Sequence, residues 1–101
     1  MNSAELNAKM LTALSGLSEF LRPINKYWPK ELDGLIKDGQ AALTDGDPRV
    51  RRDFLQRVET ALDGKSGLEE LFMSSPSKRE PFAEKKASLR ESLRLLNNEN
   101  V

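Results

Sequence analysis

Leu6, Met10, Ala13, Leu14, Leu17, Phe20 and Leu21 recur at intervals of three and four residues. At roughly 100° per residue they fall within about 120° of arc, the apolar stripe of an amphipathic helix, while Glu5, Lys9, Thr12 and Glu19 take the other side. The same interval governs the rest of the chain. No run alternates with period two for long enough to make a strand. A chain patterned this way buries its apolar surface by laying helices together, so the spacing predicts an all-α protein.

Proline and capping residues divide the pattern. A first helix is expected over 3–22, with Asn2 as its cap, Glu5 as the reciprocal partner, and Pro23 pushing the residue before it out of the helical region. Residues 23–28 form a connection. Pro29 suits the first position of a second helix, with Tyr27 stapled on Leu32. That helix buries Leu32, Leu35, Ile36, Gly39, Ala42 and Leu43 and runs to about residue 44. Gly39 lies on the buried face, where a missing side chain lets a neighbouring helix come close, whereas Gly34 lies off it. Asp47-Pro48 is a cap followed by proline at the first helical position, and opens a third helix with Val50, Phe54, Leu55, Val58, Ala61 and Leu62 inward. Asp53 and Arg57 are spaced for an ion pair on that helix. Asp45-Gly46 and Asp63-Gly64 read as helix ends. Ser66-Gly67-Leu68-Glu69 reads as a capping box opening a short helix over 68–73. Ser77 with Glu80 opens the last helix, with Pro81 in its first turn and Phe82, Leu89, Leu93 and Leu96 as a narrow stripe. Residues 97–101 are expected to fray.

These 101 residues suffice for one domain, and the reading is a compact bundle of four main helices plus one short helix. Connections of a few residues favour antiparallel neighbours. Area scaling leaves roughly 5,800 Å² accessible in the folded state, so the core is thin. With 38% apolar residues and 16 basic against 16 acidic ones, the chain is too apolar and too balanced for a disordered tail. A net charge of zero provides no global field for nucleic acid or an anionic membrane. No apolar run approaches the length of a membrane span, and residues 1–5 lack the basic start of a secretory signal. Cytoplasmic location is the expectation.

The chain contains no His and no Cys. That removes imidazole chemistry, thiol nucleophiles, disulfides and the usual zinc sites. The paired acids Glu69/Glu70 and Asp45/Asp47 read as helix N-terminal charge rather than a general acid and base. Residues 63–67 lack the glycine spacing of a phosphate loop, and Asp45-Gly46-Asp47 lacks the downstream bidentate Glu of a calcium loop. No cofactor, no metal and no catalytic residue are expected. A helix-turn-helix over 48–73 would present Glu69 and Glu70 to phosphates, which repels DNA.

Two features remain as candidate partner-binding residues. Lys86, Arg90 and Arg94 stand four residues apart on one ridge beside the apolar stripe, with Glu84 and Glu91 on the far side. This ridge either meets an acidic surface on another protein or a second copy, or packs its stems on the core and pairs internally with Glu69 and Glu70. Tyr27 and Trp28, the only Tyr and Trp, adjoin in a connection between prolines, as an interface anchor or as a lid on the core.

Leu43-Thr44-Asp45-Gly46-Asp47, a helix, and then Leu62-Asp63-Gly64-Lys65-Ser66-Gly67-Leu68-Glu69-Glu70-Leu71 make a pattern over residues 31–73. It resembles a domain family of unknown function in small bacterial proteins, whose glycine-rich turn after the middle helix carries a Gly-Ser-hydrophobic-Asn-Asp type of sequence. Here Ser66-Gly67 is inverted and Glu69-Glu70 occupy the place of the polar pair. The resemblance implies a small bacterial helical protein and no particular activity.

The leading expectation is a non-catalytic interaction module: an adaptor, inhibitor or immunity-like regulator that occludes another protein by a helical face, with a two-fold homodimer as a second form of association. The alternative is an electrostatic nucleic-acid binder using Arg49, Arg51, Arg52 and the last helix. A third reading, a carboxylate enzyme, requires a pocket lined by acids with raised pKa.

Overall fold

The computed structural model describes residues 3–99, so the expected cap at Asn2 and the tail beyond Glu99 lie outside the described residues. Four helices follow in order: α1 (Ser3–Leu21), α2 (Trp28–Ala42), α3 (Pro48–Asp63) and α4 (Pro76–Glu99). One 3-10 turn, Leu68–Glu70, lies between α3 and α4. No strand occurs among the described residues. The all-α expectation and the four-helix count therefore hold.

α1 packs against α2 and α4, and α3 packs against the same two helices, so α1 and α3 occupy opposite corners of a bundle. Side-chain contacts fix the direction of each neighbour. Asn7 Nδ2, near the start of α1, donates to the Leu43 carbonyl beyond the end of α2 at 3.2 Å. Phe20, near the end of α1, stacks on Phe82, near the start of α4, with centroids 6.0 Å apart. Adjacent helices are thus antiparallel, as short connections require. The bundle measures 42 × 23 × 22 Å, and its accessible surface of 6244 Å² slightly exceeds the scaling value, as an elongated shape should.

The core is the apolar stripe of each helix turned inward. Met10, Leu14, Leu17 and Leu21 of α1, Leu32 of α2, Val58 and Leu62 of α3, and Leu89 and Leu96 of α4 are completely buried. Each such side chain contributes about 1.5–3 kcal/mol relative to exposure. Leu68 of the 3-10 turn and Met73 after it close the end of the core. Gly39 is buried against α3, where a Cβ would lie 2.6 Å from Cζ of Phe54. The close helix approach expected at that glycine is therefore present, and Gly34 faces open space. Val50, expected inward, is instead partly exposed in the first turn of α3.

Helix ends depart from the sequence reading in instructive ways. Asp47 caps α3, its carboxylate accepting from the Arg49 N–H at 2.9 Å, with Pro48 first in the helix. α2 begins one residue before Pro29, and its cap comes from Asn25, whose Oδ1 accepts from the N–H groups of Tyr27 and Trp28 at 2.8 and 2.9 Å. Tyr27 does not staple onto Leu32. Its ring stands 60% exposed, edge-on to Trp28 at 5.3 Å. α2 stops at Ala42, where the Thr44 hydroxyl donates back to the Gln40 and Ala41 carbonyls.

The short helix over 68–73 contracts to a single 3-10 turn. Gly67, not Ser66, takes the cap position, and the Glu70 carboxylate, not that of Glu69, accepts the Ser66 N–H. Gly64 ends α3 with extended backbone, while Ser66 holds a left-handed φ of 60°. α4 opens with Pro76 at its first position, so Pro81 falls inside the helix rather than in its first turn. There it leaves the Ser77 carbonyl without its usual helical donor. The helix runs through Glu99.

Candidate functional site

The ridge of α4 is matched within the chain. Lys86 Nζ lies 3.1 Å from a Glu69 carboxylate oxygen and 4.4 Å above the Phe82 ring, which leaves only 16% of its side chain exposed. The Arg90 guanidinium makes two parallel bonds to Asp63 at 2.9 and 2.8 Å and approaches Glu69 at 3.4 Å. Arg94 makes the same kind of fork with Glu91 at 3.0 and 2.5 Å. Glu91 therefore stands beside the ridge, not on the far side. The Asp63 carboxyl is held below the usual carboxylate range chiefly by the hydrogen bonds from Arg90, against an opposing contribution from burial. Asp63 reciprocally raises the pKa of Arg90, and Glu91 that of Arg94. Two cations of the ridge thus tie α4 to the end of α3 and the 3-10 turn, and the third is paired along its own helix.

Trp28 is 8% exposed and closes the end of the core, while Tyr27 remains outside. Tyr27 rims a groove of about 580 Å³ between α2 and α3, with Glu31, Gln56, Thr60 and Ser66 on its walls. Within the pair the lid role falls to Trp28, and Tyr27 is the member a partner can reach. Arg57, expected to pair with Asp53 on its own helix, instead reaches across to Asp38 of α2 at 2.9 Å.

A polar junction that periodicity does not reveal fastens α1 to α2. Ser18 is 1% exposed, and its hydroxyl donates to Asp33 Oδ1 at 2.6 Å. Arg22 completes the cluster, donating to the Ser18 hydroxyl at 3.1 Å and to Asp33 Oδ2 at 3.3 Å. The Ser18 hydrogen bond is the main cause holding the Asp33 carboxyl below its ordinary range. Ser18 falls on the buried arc of α1 by spacing, which was the signal to look for its partner.

A larger concavity lies elsewhere, between α1 and α4, the two longest helices. It encloses about 720 Å³ and is open along the outside of the bundle. Its walls are mostly short side chains: Ala8, Thr12, Ala13 and Gly16 from α1, and Ala87, Ser88 and Ser92 from α4. Lys9, Lys85, Glu91 and Leu95 complete it. Neither the ridge nor the aromatic pair pointed here. The legible signal was a row of small residues four apart, Ala8, Thr12 and Gly16 on one helix and Ser88 and Ser92 on the other.

The carboxyls with displaced pKa values, Asp33, Asp47, Asp63 and Glu91, all move downward, and each does so through a hydroxyl or guanidinium partner. Such groups stay ionised and are poorly disposed to donate protons. No cluster of three or more metal-ligating side chains occurs among the described residues. No helix among them is long and apolar enough to cross a membrane. What the fold defines is an antiparallel four-helix bundle with lateral grooves between its helices. No family model, curated protein or solved structure matches the chain.

Proposed function

We propose that the chain is a non-catalytic interaction module that acts in the cytoplasm and binds another protein through a preformed helical face. The α1/α4 groove carries this reading. It is larger than the α2/α3 groove, it is lined only by the two longest helices, and its short side chains leave room for an external element against the bundle. The downward-shifted carboxyls support a binding surface over a reacting one, because an acid catalyst needs the opposite displacement. Internal matching of Lys86 and Arg90 moves the proposed contact from the ridge to this groove, with Tyr27 and Arg94 as accessible neighbours on other faces.

Affinity capture from lysate of the source cells tests the reading. The expected result is a defined protein retained in stoichiometric amount by the wild-type chain and reduced at least tenfold by Gly16→Leu, which fills the groove. Tyr27→Ala serves as the comparison arm for another face, and Arg94→Ala, which also frees Glu91 of the groove wall, for the ridge. Retention insensitive to all three substitutions, or turnover of a small molecule by the purified chain, would overturn the proposal.

A further inference from the structure

We infer that the α1/α4 groove receives an amphipathic helix of a partner protein, one whose apolar ridge is flanked by carboxylates. This rests on the interaction-module reading and names the class of partner.

The shape of the groove selects a helix. Small side chains at four-residue intervals on both walls make a furrow into which the ridge of a third helix fits. Gly16 sits on one wall, and a Cβ built there meets nothing within 4 Å. The space beside it belongs to the groove, in contrast to Gly39, whose space is taken up by Phe54. Ser92 adds a polar contact point to the wall. It is only 6% exposed and lines the groove, and among the described residues its hydroxyl has no hydrogen-bond partner. Its Oγ is not among the fully buried unpartnered atoms, so it meets the solvent of the groove and is free to bond a polar group brought by whatever enters.

Charge selects the flanks. Lys9 of α1 and Lys85 of α4 stand on opposite walls, and neither has a carboxylate within ion-pair distance among the described residues. Glu91 is engaged by the Arg94 fork, with Lys9 only a minor influence on its ionisation. The unmatched charge at the groove is therefore positive. A second copy of the chain does not fit this site. Among the described residues its exposed large apolar side chains are Ile24, Tyr27, Val50 and Phe72, of which only Val50 lies within a helix. It offers no apolar helical ridge, and its own groove face would bring the same lysines together.

The test uses the full chain and two fluorescein-labelled synthetic helical peptides of 18 residues. Both carry Leu at alternating three- and four-residue spacing; one has Glu at the flanking positions, the other Lys. Fluorescence anisotropy should show the Glu-flanked peptide binding at least tenfold more tightly. The double substitution Lys9→Glu/Lys85→Glu should reverse that preference, and Gly16→Leu should abolish binding of both peptides with the circular dichroism spectrum unchanged. Equal binding of the two peptides, or a preference that survives the charge reversal, would overturn the inference. So would a dimer in sedimentation equilibrium that Gly16→Leu dissociates, since the occupant would then be a second copy. A lysate partner lost on Gly16→Leu while neither peptide binds would sink the acidic helix and leave the interaction module standing. Failure to capture any groove-dependent partner, with the Glu-flanked peptide still bound, would instead count against the module.

Discussion

Replacing Gly39 by alanine sets two effects of similar size against each other at one atom. Alanine in place of glycine within a helix favours folding by about 1 kcal/mol. The added Cβ, however, would lie 2.6 Å from Cζ and 3.0 Å from Cε1 of Phe54, and 3.0 Å from Cδ2 of Leu11. Leu11 can swing its terminal methyl. The Phe54 ring is 2% exposed, so it must shift against its neighbours in the core. Overpacking of this kind costs about 1–3 kcal/mol. The net expectation is destabilisation by about 1 kcal/mol, or a fall in Tm of roughly 4–8 °C for a domain of this size. In a Phe54→Leu background both clashing ring atoms are absent. There the same Gly39→Ala change should stabilise by up to about 1 kcal/mol. Urea unfolding followed by far-ultraviolet circular dichroism on the four chains of the cycle measures the coupling, expected at about 1–3 kcal/mol. A coupling below about 0.5 kcal/mol would refute the close-approach argument, because that is the ordinary scatter of independent sites.

Other substitutions examine the remaining junctions. Asn25→Ala removes the acceptor shared by two N–H groups at the start of α2 and should destabilise by about 0.5–2 kcal/mol in the same assay, with no loss if water replaces it fully. Pro81→Ala restores a donor for the Ser77 carbonyl inside α4 and should stabilise by about 1–3 kcal/mol; a destabilised variant would show that the proline is needed for packing. Asp33, Asp47, Asp63 and Glu91 titrate below their ordinary values in the folded chain, so their stabilisation is complete above the unfolded-state values and is lost as pH falls through the folded ones. Thermal unfolding should therefore show a plateau from neutrality to about pH 5 and a decline in acid, and Asp63→Asn should make that decline shallower. Trp28, closing the core at 8% exposure, should emit in the blue and resist acrylamide quenching; a red-shifted, freely quenched emission would contradict its place in the core.

Much of the fold was legible because helices declare themselves locally. Recurrence at three and four residues, with Pro23, Pro48 and Asp47 as punctuation, depends only on backbone geometry and on orphan N–H groups at helix starts. The inward residues of α1 and α4 and the close approach at Gly39 followed from the same arithmetic. Where two local solutions were nearly equal, the reading slipped. Asn25 capped in place of a Tyr27 staple, and Glu70 in place of Glu69 reached back to Ser66.

The sequence by itself determined that this protein is helical, where most of its helices begin, and that no imidazole or thiol can act in it, since those properties reside in residue identity and short-range spacing. Only the tertiary structure decided which charges were matched and which face was left open. Arg57 found Asp38 instead of Asp53, Arg90 found Asp63, and two rows of small residues separated by more than seventy positions came together as one groove. Such pairings depend on how the helices are rotated against one another, a relation that no local interval in the chain encodes.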